Sequence, residues 1–189
     1  MKIIQYNNNK YSCYKTCIDK TSEIIPSEIE HSIISTTDII PNCSEYRSVS
    51  NILRCKLACE TPDMIWLDAD CILIKWFDFE WQKDKVYFAK SGIGSPLNCA
   101  FYVNGRTDFF QDMWNEYQKK MPESIRWFSD FICSRLNDVE FIPDGYLRHL
   151  LISRAVMSDE SFLIFGITDK FYSLFRNPVT KDITVELKW

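Results

Sequence analysis

Residues 63–79 read Asp-Met-Ile-Trp-Leu-Asp-Ala-Asp-Cys-Ile-Leu-Ile-Lys-Trp-Phe-Asp-Phe. The run Met64-Ile65-Trp66-Leu67 is long enough for one buried strand and rich in strand formers. Asp68 and Asp70 follow, one residue apart, and then the apolar Cys71-Ile72-Leu73-Ile74. A strand period kept through Ala69 turns both carboxylates to one face. Two carboxylates so placed repel each other and are costly to bury without a counter-cation. Mg²⁺ or Mn²⁺ is the simplest remedy, since either is held by one or two carboxylates and completes its shell with water and phosphate. The plainer alternative is a strand ending in a polar turn. At the carboxyl end of a strand in an α/β sheet, however, a ligand crevice is expected.

Working outward, Ser44-Glu45-Tyr46-Arg47 opens a helix that runs to about Cys59. Val49, Ile52, Leu53, Lys56 and Leu57 follow the spacing of a one-sided helix, and Thr61-Pro62 stops it. Upstream, Lys2–Tyr6 is a strand closed by Asn7-Asn8-Asn9, residues 10–20 form a short helix, and Ile33-Ile34 belong to a second strand. Residues 36–43 read as loop. Downstream, residues 86–89 and 99–103 are strands, and residues 108–120 and 124–136 are helices. Residues 141–145 are a short strand and turn, and residues 162–165 are the one clear strand of the tail. Alternating strands and helices predict an α/β fold with a mixed, mostly parallel sheet flanked by helices.

The chain has 189 residues, which predicts one domain over residues 1–189. Hydrophobic residues are 46% and aromatics 15%, enough for a large core. A net charge of −4 with interspersed signs argues against nucleic acid as a partner. No glycine-rich phosphate-cradling motif is present. No apolar run reaches the ~18 residues of a membrane span. The eight cysteines include no C-x-x-C, and the N-terminus lacks a long apolar run, so free thiols in a reducing, cytoplasmic setting are expected.

The span Ser50-Asn51-Ile52-Leu53-Arg54 followed by Ile65-Trp66-Leu67-Asp68-Ala69-Asp70 resembles the donor-binding core of GT-A glycosyltransferases. The family 32 type, where a helix bearing S-D-x-x-R precedes G-G-x-Y-x-D-x-D, is the nearest pattern. Asn98-Cys99-Ala100-Phe101 resembles the family's N-x-x-F strand. The resemblance implies a GT-A-like, Rossmann-like fold and a metal-dependent transfer of sugar from a UDP- or GDP-linked donor to a glycan or protein acceptor, with retention. It also implies that Asp68 and Asp70 hold Mn²⁺ or Mg²⁺ and the diphosphate, and that Arg54 contacts the sugar or diphosphate. Tyr6, Arg47, Asn51, Trp66 and Asn98 are the implied donor-binding positions. A third metal ligand is expected at Asp169, with Asp144 and His149 as alternatives. An inverting enzyme would need a base near the acceptor, for which Asp130 or Asp144 are the places to look.

Two departures stand out: Asn51 replaces the family's Asp, and Glu60-Thr61-Pro62-Asp63 replaces its Gly-Gly turn. Structural roles remain alternatives throughout: Tyr6 and Trp66 as core, Arg47 and Arg54 as solvated or paired with Glu45 and Glu60, Asn98 as a turn residue. Two rival functions share the motif. In a haloacid-dehalogenase-type phosphatase Asp68 would be the nucleophile and Asp70 the acid/base, although Cys71 stands where Thr is usual. The other rival is an inactive nucleotide-sugar-binding module.

Overall fold

The computed structural model describes residues 1–7, 13–34, 46–90, 94–120, 126–149, 162–165, 171–176 and 183–188. Its centre is a six-stranded sheet. The strands are β1 (Lys2–Tyr6), β2 (Glu30–Ile34), β3 (Met64–Asp68), β5 (Val86–Lys90), β6 (Pro96–Tyr102) and β7 (Val139–Phe141), in the order β2-β1-β3-β6-β5-β7. β1 pairs in parallel with β2 and β3, and β5 with β7. Only β6 is reversed, antiparallel to both β3 and β5. The sheet is therefore mixed and mostly parallel.

β3 is apolar from Met64 to Leu67 because both of its faces are covered. Met64 and Trp66 join a core beneath the helices α2 (Tyr46–Glu60), α3 (Thr107–Lys120) and α4 (Trp127–Ser134), with Leu53, Phe88, Phe101, Phe110 and Phe128. Ile65 and Leu67 face the other way, onto Ile3, Tyr87, Ala100, Tyr102 and Tyr146. Each such side chain taken fully from water contributes about 1.5–3 kcal/mol, so a one-residue slip of β3 would exchange the two faces and is strongly disfavoured. On the helix side Trp66 lies between Tyr6 and Phe101, stacked at centroid distances of 5.9 and 6.3 Å.

Helix α2 follows the expected stripe except at Lys56, which is exposed and sets its Nζ 5.1 Å from the Trp114 ring. The first helix, α1, spans Cys13–Ser22. A short strand β4 (Cys71–Leu73) pairs antiparallel with β8 (Leu147–His149), opposing Cys71 to His149. β9 (Phe162–Phe165), β10 (Phe171–Arg176) and β11 (Ile183–Lys188) form an antiparallel sheet of their own. Sequence patterning missed β8, β10 and β11, and the expected 36–43 loop lies outside the described residues. Among the described residues no helix is long and apolar enough to cross a membrane. The described cysteines, Cys17, Cys55, Cys59, Cys71, Cys99 and Cys133, are all free.

Candidate donor and metal site

β3 ends at Asp68, at the carboxyl edge of the central strand. The expected continuous strand period is corrected here: Ala69 and Asp70 form a turn, and the chain re-enters extended structure only at Cys71. Two buried side chains from outside the motif pin that turn. Gln5 Nε2 donates to the carbonyls of Asp68 (3.3 Å) and Cys71 (3.1 Å). The Thr21 hydroxyl donates to the Cys71 carbonyl at 3.4 Å and accepts from the Leu73 amide at 3.2 Å. Sequence reasoning assigned no role to either residue. A Gln inside the apolar strand Lys-Ile-Ile-Gln-Tyr was the available signal, because a fully buried amide needs partners.

Around Asp68 the side chains converge. Its Oδ1 accepts from the Trp66 indole N–H at 2.8 Å and lies 3.0 Å from Arg54 Nη2. Arg54 is buried, contrary to the solvated alternative. Its Nε donates to the Ser50 carbonyl at 3.2 Å, Nη2 to the Ser50 hydroxyl at 2.5 Å, and Nη1 to the Asn98 carbonyl. The guanidinium carbon sits 5.3 Å from the Trp66 ring centre and 5.7 Å from that of Phe128. Asn98, half-buried on β6, turns its Nδ2 to Asn51 Oδ1 at 3.2 Å. Asn51, Arg54, Trp66, Asp68 and Asn98 therefore form one connected polar seam where α2, β3 and β6 meet.

Desolvation is the main influence on the Asp68 carboxyl and raises its pKa to about 6. Arg54 and the Trp66 N–H pull it down, while Asp70 and Cys99 push it up. Arg54 Nη2 also donates to Asp68 Oδ2 at 3.3 Å, and the side chain of Asp68 keeps 22% of its surface exposed. Asp70 is buried beside it. Among the described residues no group of three or more His, Cys, Asp or Glu gathers to bind a metal. Two carboxylates on a strand end still suit Mg²⁺ or Mn²⁺, which bind readily with few protein ligands.

The other expected residues separate into several cases. Trp66 is fully buried and Tyr6 nearly so, both within the core. From there Trp66 reaches Asp68 through its indole N–H and lies beneath the Arg54 guanidinium. Arg54 is likewise buried, its guanidinium held by Ser50, Asn98 and Asp68. Arg47 lies in α2, and its side chain falls outside the described residues, as does all of Asp169. Asp144 is exposed in the turn before β8, and Asp130 is exposed on α4. His149 is brought opposite Cys71 by its backbone.

No family model and no curated protein sequence matches the chain. Solved structures do match. A glycosyltransferase involved in glycosylation of the major capsid of PBCV-1 superposes with a TM-score of 0.58 at 11% identity, over 82% of this chain and 96% of that one. The PaToxG glycosyltransferase gives 0.54 at 12% identity, over 72% and 69%. The glycosyltransferase GlyE of Streptococcus pneumoniae TIGR4 gives 0.52 at 11%, over 76% of this chain and 45% of that one. This chain has the GT-A fold. At such identities the likeness extends to the fold alone, and the polar seam at the end of β3 has to support any reading of chemistry.

Proposed function

We propose that this GT-A-fold protein is a metal-dependent glycosyltransferase moving a sugar from a UDP- or GDP-linked donor to a glycan or protein acceptor. The observation that carries this reading is the Asp68 carboxylate. It stands at the carboxyl edge of the central strand, desolvated and pushed up to about 6, with Asp70 in the adjoining turn. Bound there, Mn²⁺ or Mg²⁺ would supply Lewis-acid stabilisation of the departing diphosphate. Asp68 and Asp70 would hold the ion, and Arg54 and Trp66 keep the first of them in place. Asp169 stays the proposed third ligand, with His149 its nearest rival by backbone register. Asn51 and Asn98 present amides near the same edge, suited to sugar hydroxyls. Retention of configuration belongs to the same proposal and needs no dedicated base.

The haloacid-dehalogenase reading fits less well. The same two acids would serve as nucleophile and acid/base there, but the mixed sheet with β6 reversed superposes on glycosyltransferase structures. The test is release of nucleoside diphosphate from a panel of UDP- and GDP-sugars with Mn²⁺. Release that requires metal supports the proposal. Binding without release in any donor and acceptor combination identifies an inactive binding module, and phosphatase turnover with no nucleotide binding overturns both.

A further inference from the structure

Helices α3 and α4 carry a second feature that shares no residue with the Asp68 seam. On α3, Met113, Glu116, Tyr117 and Lys120 stand at i, i+3, i+4 and i+7, and on α4, Trp127, Asp130, Phe131 and Ser134 repeat that spacing. Such a spacing puts each set on a single helix face. The two faces oppose each other across a cleft of about 210 Å³ lined by these residues. α4 thus backs the seam with Phe128 and lines the cleft with its other stripe.

The chemistry of the cleft is layered. Met113, Trp127 and Phe131 are buried and supply an apolar floor. Tyr117 is only partly buried, its ring 4.4 Å from that of Trp127, and offers an aromatic wall. The rim is polar: Glu116 and Lys120 are paired at 2.6 Å, and Asp130 and Ser134 are exposed opposite them. The Ser134 hydroxyl donates to the Phe131 carbonyl at 2.7 Å, leaving its lone pairs free to accept.

We infer that this cleft is a carbohydrate-binding subsite that takes one pyranose ring of a glycan. The volume lies below the ~300–1,000 Å³ of pockets for drug-sized ligands, which limits the occupant to about one ring. A purely apolar ring would offer no hydrogen bond to the polar groups it covered at the rim. A bare metal ion would find its oxygen ligands only at the rim, where Lys120 already neutralises Glu116. A pyranose satisfies both layers, because its C–H face packs on aromatic carbon while its hydroxyls donate to Glu116 and Asp130 and accept from Lys120. This inference does not depend on the proposed donor chemistry.

The experiment is saturation-transfer NMR titration of the full chain with methyl pyranosides of gluco, galacto and manno configuration, with cyclohexanol as the apolar control. Saturable binding of at least one pyranoside is expected, weakened about tenfold or more, or 1.4 kcal/mol, by Asp130→Ala and by Tyr117→Ala. Asp130 is exposed, so that variant is expected to keep the wild-type thermal midpoint. Exposed Asp112 on α3, outside the cleft, supplies the control Asp112→Ala, which should bind as wild type. UDP binding with Mn²⁺ should be unchanged in all three variants, which separates failure here from failure at the Asp68 site. Absence of saturable pyranoside binding overturns the inference. Wild-type pyranoside affinity in both cleft variants, or cyclohexanol binding as tightly as the sugars, does so too.

Discussion

Arg54 Nη2 lies 3.0 Å from Asp68 Oδ1, a contact that ties the middle of α2 to the last residue of β3. The pair is almost enclosed, with side chains 4% and 22% exposed. Ion pairs on open surfaces contribute little, but removing Arg54 from one this enclosed would leave a desolvated carboxylate without its counter-charge. The pair also fixes the orientation of the Asp68 carboxylate, whose two oxygens both meet Arg54 Nη2. The site's first carboxylate is thus aimed by the core, through Arg54 and Trp66, before any ligand arrives.

Metal-dependent nucleotide binding should depend on both acids of the motif. Asp68→Asn and Asp70→Asn are expected to abolish the Mn²⁺-dependent part of UDP binding, measured by titration calorimetry, while circular dichroism shows the fold retained. Wild-type affinity in both variants would remove the metal from this turn.

The pH dependence of stability carries the signature of Asp68. Its pKa is about 6 in the fold against ~3.9 unfolded, so the native state binds more protons between those values. Stability therefore falls as pH rises through that window, by roughly 3 kcal/mol in total, and the loss is complete above it. Asp68→Asn lacks this penalty. Without metal, the variant should match wild type near pH 4 and exceed it by pH 7.5 in chemical denaturation. A difference that stays constant with pH would mean the carboxylate is not desolvated.

Arg54→Lys should cost both stability and binding, because an ammonium cannot reproduce a planar fork that reaches Ser50, Asn98 and Asp68 together. Leaving one or two of those buried acceptors unpaired is worth about 1–3 kcal/mol each. A drop in the denaturation midpoint with weaker Mn²⁺–UDP binding is expected. An unchanged midpoint would contradict the enclosed geometry.

Much of this was legible in sequence, and the misses share a cause. β3 and α2 were readable because an unbroken apolar run and a one-sided stripe are local signals. The grouping of Asn51, Arg54, Asp68 and Asn98 was legible only through a motif resemblance, since the four residues come from three elements. What sequence could not separate was burial of an aromatic from display of it: Trp66 and Tyr6 carry the same letters in either role, and in the structure both are buried, Tyr6 stacked on Trp66 and Trp66 on Phe101. The reversal of β6 was equally hidden, because strand direction leaves no trace in periodicity. β8 escaped because Leu-Arg-His is too short to show alternation, although its pairing with β4 places His149 beside the motif. Gln5 and Thr21 show the same limit, as their partners flank a turn more than 49 residues away.

The Asn51 position tests whether the seam reads the sugar or the nucleotide. Asn51 is buried and accepts from Asn98, whose carbonyl in turn receives Arg54. Asn51→Asp keeps an acceptor for Asn98 Nδ2 but places a second carboxylate three residues before Arg54, within reach along the helix. That charge competes with Asp68 for the guanidinium and can also accept charge-assisted bonds from donor hydroxyls, worth about 1–2 kcal/mol more than a neutral contact. If Asn51 lies at the sugar, the substitution should reorder the rates at which different UDP- and GDP-sugars are hydrolysed, by roughly tenfold for the donors most affected, while affinity for bare UDP moves less. Hydrolysis rates for a donor panel, with UDP calorimetry in parallel, measure both. An unchanged donor ranking together with a matching fall in UDP affinity would put Asn51 at the nucleotide and leave the choice of sugar to other residues.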